Sequence, residues 1–102
     1  MIHVIANIEV RAGKLDDFLD IFHRLMPQVL AEEGCLDYGP TRDARTDIDA
    51  QVPYRQNVVT VVERWRDMDA LESHLASPHM AEYRENVEGM VQDVTLQILE
   101  PA

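Results

Sequence analysis

The sequence predicts a single α+β domain over residues 1–102, in which one antiparallel sheet carries helices on one face. A length of 102 residues matches one ordinary domain. Hydrophobic residues alternate with a period of two in some segments and follow a helical period in others. These segments come in the order strand, helix, strand, strand, helix, strand, with the second helix in two pieces. Two β-α-β halves in a chain of this length predict the ferredoxin-like arrangement.

The first half of the chain contributes a strand and a long helix. Residues 2–10 place apolar side chains at every second position, which predicts a half-buried strand. The opposite face of this strand carries His3, Ile5, Asn7 and Glu9. After Gly13, apolar residues recur at helical spacing from Leu15 to Leu30. Pro27 removes one backbone hydrogen bond from this helix, so we expect it to bend the helix.

Two strands and a long connection follow. Residues 35–43 read as a strand, and Gly39-Pro40 within it indicates an edge strand or a bulge. Residues 44–56 are polar and irregular, which is long for a hairpin connection and is typical of functional or mobile loops. Residues 57–65 form the strongest predicted strand, with apolar side chains on both faces.

The second half ends with a helix in two pieces and a last strand. The first piece begins near Asp67, and we expect Asp69 and Glu72 to form a capping box because they stand at the right spacing. At Ser77-Pro78 the helix restarts, with the serine as N-cap and the proline at the first helical position. Alternation returns over residues 92–99 and predicts the last strand.

The composition excludes several classes of partner and cofactor. Nineteen acidic residues against nine basic ones give a net charge of -10, which disfavours nucleic acid and anionic membranes as partners. No apolar run reaches the roughly 20 residues of a membrane span, so we expect a soluble, cytoplasmic protein. The single Cys35 excludes an internal disulfide and multi-cysteine metal sites. We expect no metal, flavin or nicotinamide cofactor, since no histidine pair has ligand spacing and no glycine-rich phosphate loop occurs.

The strand over residues 57–65 predicts a second copy of the chain as partner. Helices cover only one face of a ferredoxin-like sheet, and this strand is apolar on both. A monomer would therefore leave an apolar patch in water. We expect a homodimer in which two sheets pack face to face. Each copy would then hold a cavity lined by the faces that carry His3, Asn7, Glu63 and Trp65.

Two sequence motifs connect the predicted elements. The first is Glu32-Glu33-Gly34-Cys35-Leu36-Asp37-Tyr38, between the first helix and the second strand. The second runs from Glu63-Arg64-Trp65-Arg66-Asp67 through Ala70-Leu71 and His74 to Ser77-Pro78-His79. In this order they make the chain similar to the antibiotic biosynthesis monooxygenase family, whose members are dimeric α+β barrels and whose first motif is an E-x-G-C-L-x-Y joint. The resemblance covers nearly the whole chain and does not specify a substrate.

The resemblance implies one of several activities. Some members of the family oxidise phenols, anthrones or quinols with O2 and without metal or flavin. Others degrade haem, and a related branch isomerises or binds small ketones in quorum signalling. The haem-degrading pattern is broken here, because only Asn7 matches it, while His74 and Arg84 stand at its other two positions.

His74 and Asn7 are the two candidate catalytic residues. A histidine titrates near neutral pH, so His74 is suited to take a phenolic proton. Asn7 with a neighbouring arginine would stabilise the oxyanion that develops. The structural alternatives are a hydrogen-bonded core histidine and an asparagine bonded to a neighbouring strand or loop.

Six further residues are candidates for substrate contact: Trp65, Glu63, His3, Tyr83, Arg64 and Arg84. Trp65 would offer a flat wall to an aromatic ring, and Glu63 would hold a polar group beside it. Tyr83 would bond a substrate oxygen, and an arginine would neutralise an enolate or a carboxylate. Core packing and salt bridges are the structural alternatives for this set.

The sequence thus favours a cofactor-independent monooxygenase-like enzyme that oxidises a small aromatic, quinol or polyketide-type molecule with O2. Two alternatives stay open at this point. One is a dimeric module that binds a small molecule without turnover, since no nucleophile–base pair is evident. The other is a signal-ketone isomerase, whose turnover would not need O2.

Overall fold

The structure is a four-stranded antiparallel sheet covered by three helices. The computed structural model describes residues 1–102, with strands in the order β2-β3-β1-β4. The elements are β1 (Ile2–Val10), α1 (Leu15–Leu30), β2 (Cys35–Thr41), β3 (Val58–Trp65), α2 (Met68–Leu75), α3 (Pro78–Val87) and β4 (Val91–Leu99). The predicted ferredoxin-like α+β fold is confirmed, and within this chain the sheet is open, with β2 and β4 at its edges.

The core lies between the sheet and α1. Alternate side chains of β1 and β3 are buried against α1, whose phenylalanines Phe18 and Phe22 are almost inaccessible. Tyr38 of β2 stacks on Phe22 with ring centroids 5.4 Å apart. We call this side of the sheet the helix side and the other its open face, which carries His3, Ile5 and Asn7.

Helix α2 is capped at its N-terminus by a different residue from the one expected. Asp67, with extended backbone at φ -159°, accepts a hydrogen bond from the Ala70 amide at 2.8 Å. Asp69 lies inside the first turn, so the expected capping box of Asp69 and Glu72 is wrong. The spacing rule found the helix start but placed the cap two residues late. Ser77 and Pro78 do stand at the N-cap and first position of α3, as predicted.

The expected grouping of His3, Asn7, Glu63 and Trp65 on one face of the sheet is also wrong. The register aligns Ile2 with Trp65 and Val4 with Glu63, so both β3 residues lie on the helix side. His3 and Asn7 lie on the open face. The sequence did not settle the orientation of β3, because valines occupy both of its faces.

The open face is mixed rather than uniformly apolar. Its apolar side chains are Ile5, Val58, Val62 and Leu99, interspersed with polar ones such as Thr60 and Arg64. The connection after β2 folds back over it, because Arg55 pairs with Asp43 at 2.9 Å and donates to Asn7 Oδ1 at 3.4 Å. On the helix side of β4, Val94, Leu96 and Ile98 are about half exposed. None of the helices is both long and apolar enough to cross a membrane.

Gly34 sets the approach of α2 to the turn between α1 and β2. Its φ is +84°, and a Cβ built on it would lie 2.6 Å from Ala70 Cβ. The Arg66 amide also donates to the Gly34 carbonyl at 2.8 Å. A side chain at this position would therefore push α2 away from the turn.

We expect Gly34→Ala to lower the free energy of unfolding by about 2–5 kcal/mol, the sum of left-handed strain and overpacking. Gly13→Ala is the matched control, because Gly13 has φ +82° but nothing lies within 4 Å of its added Cβ. That control should lose only about 1–2 kcal/mol. Denaturant unfolding of both variants measures the difference, and equal losses would contradict the close approach.

Candidate active site

A cavity of about 370 Å³ lies between the sheet and helices α2 and α3. Its walls are mostly hydrophobic, and its polar lining residues are Tyr38, Glu63, His74, Tyr83, Arg84 and Glu88. A larger depression of about 460 Å³ lies between α1 and α3, but its lining is largely exposed and polar, as at Arg24 and Gln28. The buried titratable groups converge on the first cavity, which is therefore the candidate site.

Four polar atoms in the cavity have no hydrogen-bond partner in the protein. They are the hydroxyls of Tyr38 and Tyr83, Oε2 of Glu63 and Nε2 of His74. No inaccessible side-chain nitrogen or oxygen anywhere in the chain lacks a partner. These four atoms are therefore accessible, and their residues all line the cavity, where a ligand with oxygen groups could bond to them; Tyr83 also borders the depression between α1 and α3.

Trp65 supports the polar residues of the cavity. Its Nε1 donates to Glu63 Oε1 at 2.9 Å, and its ring centroid lies 4.5 Å from that of His74. Trp65 is fully buried and is not among the residues that line the cavity. The structure thus places the predicted aromatic wall behind Glu63 and His74 rather than against the open space.

His74 is bound to Glu32, a residue for which the sequence suggested no function. Its Nδ1 lies 2.8 Å from Glu32 Oε2, and Nε2 of His79 lies 2.9 Å from the same oxygen. Burial lowers the pKa of His74 even though the Glu32 carboxylate favours its charged form. The neutral imidazole is therefore the form that the site favours. Glu32 and His79 belong to the two quoted motifs, and that was the only signal that could have found them.

Glu32, His74 and His79 are the side chains that could hold a metal ion, since their ligand atoms lie within 4.8 Å of one another. In a tetrahedral site with ligand bonds of about 2.1 Å, ligand atoms stand about 3.4 Å apart. The nitrogens here lie 2.8 and 2.9 Å from one oxygen. The present geometry is therefore that of a hydrogen-bonded triad.

Burial also shifts the pKa values of three other cavity residues, Glu63, Tyr38 and Tyr83, toward their neutral forms. The pKa of Glu63 rises to about 7, chiefly by desolvation, against the hydrogen bond from Trp65. Desolvation also raises the pKa values of Tyr38 and Tyr83 well above the usual range, so both remain hydroxyl donors. Arg84 lies exposed at the rim and donates to the Leu75 carbonyl at 2.7 Å. The cavity can thus accept a proton at His74 and donate hydrogen bonds from its tyrosines.

Besides Trp65, three more predicted site residues lie outside this cavity. Asn7 on the open face accepts hydrogen bonds from Thr60 Oγ1 at 2.9 Å and from Arg55 at 3.4 Å. His3 lies on the same face, and Arg64 lies 3.9 Å from Asp37. Asn7 and His74 are on opposite sides of the sheet, so the expectation that both act on one substrate is wrong. Glu63, His74, Tyr83 and Arg84 are brought together.

Comparisons with known proteins agree with the fold and the motifs. The family model described as "Antibiotic biosynthesis monooxygenase" matches residues 1–86. The "Probable quinol monooxygenase YgiN" of Escherichia coli K12 is 38% identical over 103 residues, covering 99% of this chain and 98% of that protein.

Solved structures show the same architecture. A conserved protein from Methanosarcina mazei superposes with a TM-score of 0.83 at 24% identity, over 99% of this chain and 92% of its own. A putative antibiotic biosynthesis monooxygenase from Nitrosomonas europaea gives a TM-score of 0.83 at 15% identity, over 99% and 98% of the two chains. The family match and the relative from Escherichia coli confirm the resemblance that the two motifs predicted. This chain belongs to the antibiotic biosynthesis monooxygenase family.

Proposed function

We propose that the chain is a monooxygenase that oxidises a small quinol-type aromatic molecule with O2 and needs no bound cofactor. The observation that carries this proposal is the set of four unpartnered polar atoms in an otherwise apolar cavity. A flat ring with two hydroxyl groups would fill the apolar space and bond to these atoms. The name of the relative from Escherichia coli, a probable quinol monooxygenase, favours the same substrate class.

His74 is proposed as the general base. In the neutral imidazole, Nε2 takes the proton of a substrate hydroxyl and leaves an electron-rich phenolate. The hydroxyls of Tyr38 and Tyr83 donate hydrogen bonds to substrate oxygens, and Glu63 holds a second oxygen. Arg84 at the rim offsets the negative charge that develops. The apolar walls exclude water from the phenolate and O2.

The proposed reaction balances without a further reductant. The phenolate transfers electrons to O2, and a bond forms between a ring carbon and one oxygen atom. The O–O bond then breaks, so that one oxygen atom stays on the ring and the other leaves as water. A quinol and O2 thus give a hydroxyquinone and one molecule of water.

The presence of both His74 and Glu63 in the cavity favours a second candidate, a ketone isomerase. Glu63 has a pKa of about 7 and lies in the same cavity as the base, so it could return a proton to a neighbouring carbon. Such a reaction would not consume O2. Saturable binding without any turnover would point instead to a small-molecule-binding module.

We also propose that the chain forms a homodimer through the open face of its sheet. The apolar side chains Ile5, Val58, Val62 and Leu99 lie on this face, and no helix of the chain covers them. A second copy packed on this face would bury them.

We expect light scattering to give twice the chain mass of 11.7 kDa at micromolar concentration. Val62→Glu should produce a single-chain species, because it places a charge at the centre of the open face. Leu30→Glu is the control, since Leu30 is also an exposed apolar residue but lies at the end of α1. A single-chain species for the unchanged protein would contradict the dimer.

The substrate for this test is a quinol or anthrone that the unchanged protein turns over. With it, we expect His74→Asn to lower kcat/KM for O2 consumption by about 10²–10⁴-fold, because a general base usually contributes that much to the rate. His23→Asn, at an exposed position of α1, should leave the rate unchanged. An oxygen electrode measures both, and circular dichroism checks that the variants are folded. Turnover that continues unchanged without O2 would favour the isomerase over the monooxygenase.

The ionisation of Glu63 predicts a pH-dependent stability. Its pKa is about 7 in the folded state and 4.5 when unfolded, so folding favours the protonated form. Its contribution to stability is therefore present at acid pH and is lost as pH rises from 4.5 through 7. A shift of this size corresponds to about 3 kcal/mol at pH 8.

We therefore expect Glu63→Gln, which keeps an acceptor for Trp65, to be more stable than the unchanged chain by about 2–3 kcal/mol at pH 8 and by at most about 1 kcal/mol at pH 5. Urea unfolding at the two pH values measures this difference. Glu72→Gln, at an exposed position of α2, makes the same charge change and should show no such pH dependence. A stabilisation by Glu63→Gln that is the same at both pH values would contradict the raised pKa.

A further inference from the structure

We infer that Glu32 is a positioning residue, which fixes the tautomer of His74 so that its basic nitrogen faces the cavity, and that His79 holds Glu32 in place. The inference deepens the proposed function, because it assigns the groups that prepare the base. Neither Glu32 nor His79 lines the cavity, so both would act through His74.

The tautomer follows from the hydrogen bonds. An ionised carboxylate only accepts hydrogen bonds, so His74 Nδ1, at 2.8 Å from Glu32 Oε2, carries the ring hydrogen. A neutral imidazole has one ring hydrogen, so Nε2 then holds the lone pair. Nε2 is the atom that has no protein partner and is open to the cavity. The bond to Glu32 therefore aims the basic nitrogen at the substrate space.

His79 restricts the carboxylate from the other side. Its Nε2 donates to the same Glu32 oxygen at 2.9 Å. The three side chains come from three segments, namely the turn after α1, helix α2 and helix α3. The side chain of His74 is 2% exposed, that of Glu32 13% and that of His79 18%. Two N–H donors on one poorly hydrated oxygen leave that oxygen little freedom to move.

Glu32 also stabilises the positive charge that His74 acquires when it takes a proton. Burial disfavours the charged imidazolium, and the Glu32 carboxylate 2.8 Å away offsets that cost. The titratable and charged groups that face His74 come from every element around it: Glu32, Tyr38, Glu63, His79 and Arg84. Of these, only Glu32 bonds directly to the ring.

The first experiment needs no substrate. In ¹⁵N spectra of the histidine rings at pH 7, we expect His74 as one neutral tautomer with its hydrogen on Nδ1. Glu32→Gln should populate the other tautomer or speed the exchange of the Nδ1 hydrogen, and His79→Ala should act in the same direction. Glu33→Gln is the matched control, since Glu33 is the next residue and its side chain is 89% exposed.

The second experiment uses a quinol that the unchanged protein turns over. Glu32→Gln should lower kcat by roughly 10- to 1,000-fold, within the contribution of a general base, and leave KM within about threefold. The acid limb of the pH–rate profile should move to lower pH, because the anion that favours protonated His74 is gone. Glu33→Gln should change none of these quantities.

The outcomes separate this inference from the proposed function. A hydrogen on Nε2, a cationic His74 at pH 7, or equal behaviour of the Glu32 and Glu33 variants would overturn the inference. So would Ni²⁺ or Zn²⁺ bound to the purified chain and lost in both His74→Asn and His79→Ala, since the triad would then be a metal site. The expected tautomer without turnover of any quinol would support the positioning and count against the monooxygenase.

Discussion

One oxygen atom of Glu32 holds together the three segments that close the cavity. Its bonds to His74 and His79 join the end of α1 to both pieces of the second helical region. Gly34, two residues further on, lets the Ala70 side chain approach the same turn. The ring of His74 is therefore fixed by a carboxylate on one side and by Trp65 on the other. A shift of α2 by about an ångström away from Glu32 would lengthen the 2.8 Å hydrogen bond beyond bonding distance.

The electrostatics of the cavity contrast with those of the whole chain. The chain carries a net charge of -10, yet burial favours the neutral forms of Glu63, His74 and both tyrosines. Arg84 and Glu88, both exposed, are the charged residues that line its opening. A space with neutral donors and acceptors suits a molecule that enters uncharged and becomes an anion only when His74 takes its proton. The site thus favours the phenolate over the phenol it binds, as a catalyst of proton removal must.

The fold could be predicted because hydrophobic periodicity is a local property. The strand over residues 2–10 and the helix from Leu15 to Leu30 were found at the observed bounds. The side of the sheet on which Trp65 lies could not be predicted, since β3 has valines on both faces and the answer depends on which face the helices cover. The contact of Glu32 with His74 spans 42 residues, and no periodicity reports such a contact. Asn7 lies on the predicted face of β1, and its expected grouping with Glu63 and Trp65 failed for the same reason.

The two motifs that carried the resemblance meet in three dimensions at the base. Glu32 and Tyr38 come from the first motif, while Glu63, His74 and His79 come from the second. The opposite end of the cavity is built from residues outside both motifs, including Val87, Val94 and Leu96. The motif end presents the proton acceptor, and the other end sets the size and shape of the ring that fits. Because Val94 and Leu96 are about half exposed, this second end is open toward β4 in the single chain.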